Sequence, residues 1–433
     1  MTSHVRATRR ELLPAVFGLA ISLALAACGN STSTASPAPA TAPAATAGPS
    51  ASPSPGAPRA SLLPVPTTVL GTIGPVPAGL TDATGAALAA ALEGVRASNR
   101  YPGISAAVVF PDGSTWSGQS GTAVVSSNTA VGPDTLFSVG SITKTFVAAL
   151  ATRLVARGTI GLDDPVSKYV PYVPNGDNIS LRQLLNHTSG IRDLFDSFST
   201  QILENPAATW TAQQVIAGLG NPYFAPGQGY HYSNTNYLLL GLAIEAATGK
   251  SMPALLRSEF LDPLGLGHTF YQVGETPSYP EAHGYMRPAA SPRDNSAGAM
   301  IPFTAEITAV GAAGALVSNA SDLARWASAL YGGRVVDLAS LASIIDVSPS
   351  LAFRAAPSFP YGFGFEETTV AGQTAWGHRG HLDGFWSAIW YLPGSRYAVV
   401  VLTNADWADP VSAATVLITA AGGAAPATSP AAS

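Results

Sequence analysis

Phe137-Ser138-Val139-Gly140-Ser141-Ile142-Thr143-Lys144-Thr145-Phe146 is the stretch on which the reading of this chain turns. Phe146, Leu150 and Leu154 recur every four residues, which predicts a helix beginning near Ser141 and ending near Gly158. Ser141 and Lys144 then stand three apart on one face of its first turn. A serine hydroxyl needs an adjacent base to attack a carbonyl at neutral pH. A lysine serves when burial or nearby positive charge lowers its pKa. The helix N-terminus adds free N–H groups and partial positive charge near the reacting carbonyl. Ser-x-x-Lys by itself also reads as a capping serine beside a solvated lysine. Of the 21 lysines and arginines only Lys144, Lys168 and Lys250 are lysines, and only Lys144 has serine at that offset.

Two further constellations lie downstream. Pro226-Gly227-Gln228-Gly229-Tyr230-His231-Tyr232-Ser233-Asn234-Thr235-Asn236-Tyr237 precedes the apolar run 238–242, so a polar loop opens a buried helix. Tyr232 can shuttle a proton if an ammonium stabilises its phenolate, and Asn234 can hold Lys144 or a substrate amide. Alone, Tyr-Ser-Asn is also ordinary turn chemistry. Ala375-Trp376-Gly377-His378-Arg379-Gly380-His381-Leu382-Asp383-Gly384-Phe385 leads into a strand beginning near Trp386. Glycine at 380 is read as letting a ligand approach that strand, with edge N–H groups completing an oxyanion site. His378 and His381 also read as a metal-binding pair, but no carboxylate and histidine cluster of metal spacing accompanies them.

Around these motifs, both ends of the central stretch are rich in strand signals. Residues 104–110, the Pro111-Asp112-Gly113 turn and residues 114–117 read as one hairpin. Residues 386–392, the Pro393-Gly394-Ser395 turn and residues 397–403 read as a second, followed by a helix over about 410–420. Thr81 is placed to cap a helix whose Leu88, Leu92 and Val95 share a face. Helical patterns dominate 158–264. One sheet built from both ends, with a helical insertion between them, is the economical architecture.

Residues 1–28 read as an export signal, with His4, Arg6, Arg9 and Arg10 before an apolar stretch over 12–27. The sole cysteine ends Leu25-Ala26-Ala27-Cys28, which resembles the lipobox of bacterial lipoproteins, where the thiol takes the lipid. Arg9-Arg10 also resembles a twin-arginine signal, so either the Sec or the twin-arginine route is expected. Residues 29–77 are Ser, Thr, Ala and Pro with almost no charge, a disordered linker reaching about 40 Å as a flexible coil. Residues 421–433 form a similar tail, which leaves 78–420 as the folded domain. Hydrophobic residues at 47 % and charged ones at 11 % supply a large core. A net charge of -5 without a long basic run gives no footing for nucleic-acid binding.

In order and in kind, Ser141-x-x-Lys144, Tyr232-x-Asn234 and His378-x-Gly380 resemble the class C group of serine β-lactamases, with its D-alanyl-D-alanine carboxypeptidase and esterase branches. Asp134 to Ser141 fits the same group, as do the segments 161–165, 184–190 and 318–323, which look structural. The resemblance implies an α/β fold, an antiparallel sheet flanked by helices plus an all-helical subdomain, with the active site in the cleft between them. It implies an acyl-enzyme mechanism without metal or other cofactor. Ser141 would be the nucleophile, Lys144 and Tyr232 the proton carriers, Asn234 an ordering group, and the backbone N–H groups of Ser141 and His381 the oxyanion site. His378, Gly380 and His381 would bind substrate; the Arg379 guanidinium can grip a substrate carboxylate bidentately, whereas strict strand alternation turns residue 379 away from the face of 378 and 380 to support the strand. His378 stands where the family has lysine or histidine, and Arg379 where it has a small or hydroxyl residue. A peptidoglycan-derived peptide, a lactam or another small molecule is the implied substrate, and the membrane a partner through the lipid anchor. A carboxylesterase is the alternative within this chemistry. A wall-binding lipoprotein without turnover is the alternative outside it, and a purely binding cleft has no need of Ser141, Lys144 and Tyr232 together.

Overall fold

Alternating apolar residues in the strands at both ends of the domain serve two cores at once. The computed structural model describes residues 80–286, 293–294, 304–352 and 359–423. The expected export signal with Cys28, the linker over 29–77 and the end of the tail lie outside them. Seven strands make the main sheet: β1 (Gly103–Val109), β2 (Thr115–Val124), β3 (Thr129–Ala130), β4 (Glu366–Val370), β5 (Gln373–Leu382), β6 (Phe385–Leu392) and β7 (Tyr397–Thr403). Their spatial order is β3-β2-β1-β7-β6-β5-β4, every neighbouring pair antiparallel. β1 meets β7 with Ile104 opposite Thr403 and Val108 opposite Val399, which joins the two ends of the domain in one sheet.

Ala106, Val108, Val399 and Val401 face a core with Leu88 and Leu92 of α1 (Asp82–Asn99) and with Leu417 and Ile418 of a C-terminal helix, Pro410–Ala420. Their neighbours Ala107, Val109, Val400 and Leu402 face the opposite core with Phe146 and Trp326. Period-two alternation thus loads both faces of the sheet. Thr81 caps α1 by accepting from Thr84 N–H at 3.1 Å, as its sequence suggests.

On the second face, α2 (Thr143–Ala156), α3 (Asn234–Thr248), α4 (Thr304–Val310) and α5 (Ala320–Tyr331) carry the helical region. Phe146 stacks on Trp326 with ring centroids 3.8 Å apart, and Trp326 Nε1 donates to Thr145 Oγ1 at 2.8 Å. Burying two such rings contributes on the order of 1.5–3 kcal/mol each, so α2 is firmly anchored just past the turn that carries Ser141. Among the described residues no helix is long and apolar enough to cross a membrane.

One boundary differs from the sequence reading. The third motif does not merely lead into a strand; it is itself β5, paired to β6 with Leu382 opposite Phe385. Asp383-Gly384 closes that hairpin, with Gly384 at φ 87°. An Asp-Gly pair is the residue choice a two-residue hairpin demands, and this signal was there to be read.

Candidate active site

Ser141 lies in a short 3₁₀ turn, Gly140–Ile142, that feeds directly into α2, two residues before the regular helix starts. β5 runs against this turn. Gly140 has φ 49°, and a methyl group built on it would sit 2.8 Å from His381 N. A methyl on Gly380 would sit 1.9 Å from Val139 O. The missing side chain at 380 therefore makes room for the protein's own turn at Val139–Ser141, not for a ligand as expected from the sequence. Ser387 Oγ pins the same contact by donating to Val139 O at 2.9 Å.

Lys144 is fully buried, and its Nζ has three neighbours: Ser141 Oγ at 2.9 Å, Asn234 Oδ1 at 2.8 Å and Ala313 O at 2.8 Å. Tyr232 Oη donates to Ser141 Oγ at 2.7 Å from the other side. Burial drives the Lys144 ammonium down to about 7, against the pull of Asp193 and Glu366. Burial pushes the Tyr232 phenol well above its ordinary value, with the Ser141 hydrogen bond opposing. The two groups are moved in opposite directions, which separates a base from an acid.

Asn234 is held in turn by Asp193, whose Oδ2 accepts from both the backbone N–H and, at 3.0 Å, the side-chain Nδ2 of Asn234. An amide that gives its NH₂ to a carboxylate must turn its oxygen the other way, so Asp193 aims Asn234 Oδ1 at Lys144. Asp193 was not singled out from the sequence, where it is one acid among many past the Gly190 turn. Asp193→Ala is expected to lower kcat/KM by about 10-fold or more and to cost ~2 kcal/mol of stability through the donors left unpaired. Asp193→Asn, which keeps an acceptor, should lose less. Steady-state kinetics and urea unfolding of both variants check this, and equal losses would show that charge alone matters.

A second support comes from His187 in the segment first read as structural. Its Nδ1 accepts from Ser233 N–H at 3.2 Å and from Asn236 Nδ2 at 3.0 Å, so the ring is neutral with its proton on Nε2. Its ring packs 4.4 Å from that of Tyr232.

His378 is buried, and both ring nitrogens are used inside the protein. Nδ1 meets Arg379 O, and Nε2 lies 3.1 Å from Tyr361 Oη. Burial brings it down to about 4, so it is neutral. It stands behind Tyr232 with ring centroids 6.3 Å apart and does not line the cavity at Ser141. Arg379 forks onto Glu366 of β4, Nε to Oε2 at 3.0 Å and Nη2 to Oε1 at 3.1 Å, with its guanidinium 3.6 Å from the Phe359 ring centroid. Its charge is spent on a buried carboxylate and not held out to a ligand. Arg379→Ala is thus expected to reduce turnover of neutral esters and of substrates with a free carboxylate by the same factor. It should also destabilise the fold by ~2 kcal/mol, because the buried Glu366 keeps the backbone N–H of residue 379 but loses its guanidinium. A loss confined to carboxylate substrates would restore the recognition role expected from the sequence.

The cavity at Ser141, about 190 Å³, is lined by Ser141, Tyr232, Asn234 and His381 on its polar side and by Phe195, Val310 and Leu382 among its apolar groups. His381 turns its Nε2 to Asp406 Oδ1 at 2.6 Å. Among the described residues no three or more His, Cys, Asp or Glu side chains are gathered closely enough to hold a metal ion.

The Beta-lactamase family model matches residues 88–421. The unguisins hydrolase of Aspergillus violaceofuscus is 27 % identical over 340 residues, 71 % of this chain and 59 % of that protein. Penicillin-binding protein 4* of Bacillus subtilis is 28 % identical over 289 residues, 63 % of this chain and 61 % of that one. The chain therefore spans about three-fifths of the length of these two relatives. A D-stereospecific amidohydrolase from Streptomyces sp. superposes with a TM-score of 0.66 at 30 % identity, covering 79 % of this chain and 99 % of that one. The D-amino acid amidase of Ochrobactrum anthropi SV3, complexed with L-phenylalanine amide, does so with a TM-score of 0.67 at 27 % identity, covering 78 % and 98 %.

Proposed function

The chain belongs to the Beta-lactamase family, and from that premise we propose that it is a serine hydrolase that opens small amide or peptide carbonyls, of D-configured residues in particular, through an acyl-enzyme on Ser141. The observation that carries this is the set of neighbours around Lys144 Nζ. Asn234 Oδ1 and Ala313 O can only accept, and they take the two hydrogens of a neutral amine. The lone pair is left for the one neighbour that can donate, the Ser141 hydroxyl.

The steps balance on these groups alone. Ser141 Oγ bonds to the carbonyl carbon as its proton passes to Lys144 Nζ, and the carbonyl π pair moves to oxygen near the backbone N–H groups of Ser141 and His381. When the C–N bond breaks, Tyr232 Oη gives its proton to the leaving nitrogen and is reprotonated from Lys144. Water then attacks the ester along the same route in reverse, releasing the acid and restoring Ser141.

Two observations favour an amide over a substrate with a C-terminal carboxylate, the D,D-carboxypeptidase reading. Arg379 is committed to Glu366, and the apolar side of the cavity, Phe195, Val310 and Leu382, suits a modest acyl side chain. The likeness to two D-stereospecific amide hydrolases over nearly their whole length supports the same choice. Hydrolysis of D-phenylalanine amide, its L-isomer, a peptide ending in D-Ala-D-Ala and a simple ester, followed side by side, tests it. The D-amide should be turned over fastest; preference for the D-Ala-D-Ala peptide would return the carboxypeptidase, and turnover of simple esters alone the carboxylesterase.

We also propose, from its sequence, that the protein is exported and lipid-anchored through Cys28. Cys28→Ser should move it from the membrane fraction of its host to the soluble one, and unchanged fractionation would sink the anchor.

A further inference from the structure

A second cavity, about 400 Å³, is lined in part by Ser189, Ile191 and Arg192, next in the chain to the Asp193 that holds Asn234. Ile179, Ile191, Ile216, Leu219 and Phe224 are among the apolar side chains that line it. Nothing in the hydrolytic route uses it. The one cationic side chain in its lining is Arg192, 36 % exposed, whose stem crosses Gly220 so closely that a methyl there would sit 3.1 Å from Arg192 Cδ. The Arg192 guanidinium makes no hydrogen bond among the described residues. Asp196 Oδ2 is its carboxylate neighbour at 4.0 Å and already accepts from Tyr223 Oη at 2.5 Å, while the guanidinium lies 5.3 Å from the Tyr223 ring centroid.

We propose that this cavity is a binding site for a lipophilic monocarboxylate, its alkyl chain in the cavity and its carboxylate on Arg192. The chemistry follows from the lining. A cavity lined mainly by apolar side chains, with Arg192 as the one charged group among them, takes an apolar body oriented by one charged contact. With Asp196 standing off at 4.0 Å, the Arg192 guanidinium keeps its N–H fork available to a carboxylate, which it matches bidentately. A dry cavity of about 150 Å³ holds one benzene, so on that scale this one has room for up to roughly sixteen carbons and takes an eight-carbon chain with space to spare. The proposal is independent of the hydrolytic reading, since Arg192 and Leu219 touch neither Ser141, Lys144 nor Tyr232.

Calorimetric titration of the protein with octanoate, with 1-octanol as its uncharged match, tests the site, both ligands below their aggregation limits. Octanoate is expected to bind one to one and about 10-fold more tightly than 1-octanol. Arg192→Gln should erase that preference without touching 1-octanol, and Leu219→Trp, which fills the cavity, should abolish binding of both. No saturable binding of either ligand, or binding unchanged in Leu219→Trp, overturns the cavity as a site. Equal affinity for the two ligands in the wild type overturns the carboxylate. Arg192 is a partly exposed residue, so its variant keeps the test decisive even if Leu219→Trp folds poorly.

Discussion

Ser141→Ala is expected to lower kcat/KM by about 10⁴-fold or more, the scale on which loss of a nucleophile is felt, and to abolish covalent labelling by a fluorophosphonate. The reason is convergence. Lys144 Nζ and Tyr232 Oη both end on Ser141 Oγ, at 2.9 and 2.7 Å, and among the described residues on no other hydroxyl. Removing that one oxygen leaves the base without a proton to take and the acid without an acceptor, while the anchored α2 keeps its place through Phe146 and Trp326. Mass spectrometry of the intact protein after labelling, beside a thermal melt to show that the variant folds, reads the result. A folded Ser141→Ala variant that still carries the label, or turns over substrate at the wild-type rate, would move the nucleophile elsewhere.

Lys144→Ala is expected to slow acylation by about 100-fold or more, the usual contribution of a positioned base. Its pH signature is more specific than its size. With the ammonium brought down to about 7 by burial, the neutral, proton-accepting form appears as pH rises through that value, so wild-type kcat/KM should climb on a limb near pH 7. The variant should lose that limb. Stability carries the same signature with a definite sign. The unfolded lysine keeps its ordinary 10.5 while the folded one releases its proton near 7, so between those values the unfolded chain binds more protons and stability rises with pH. The cost of burying the charge is therefore full below about pH 7 and relieved across that window. Denaturant midpoints at several pH values should show this slope in the wild type and not in Lys144→Ala. A loss of activity well under 100-fold with the limb retained would assign the base role to Tyr232.

The supporting residues differ in how visible they were. Lys144 stood out because serine three residues before a lysine in a buried helix start is a short-range relation, and α2 keeps it close to what helix geometry demands. Asp193 and His187 did not stand out. Each acts through a contact with the segment Ser233–Asn236, more than forty positions away, and no local period encodes such a meeting. Arg379 stays open between a substrate carboxylate and support of the strand when read from sequence, for the same reason. Its sequence neighbours place it in a substrate motif, but its partner Glu366 sits on the adjoining strand β4 opposite Gly377.

Sequence alone thus determined the elements and the residues that meet at the cavity: period-two strands at both ends, the helix behind Ser141, the Tyr232 and Asn234 loop, and a serine with a lysine beside it. These are readable because helix and strand geometry act over a few residues, where the order of side chains is the order of contacts. Only the tertiary structure decided what each polar group is free to do. It buried Lys144 until its charge became costly, turned Asn234 towards it with Asp193, tied Arg379 to Glu366, and set Gly380 against Val139 instead of a ligand. Protonation, orientation and availability depend on burial and on partners distant in the chain, and those exist only once the sheet has closed from both ends.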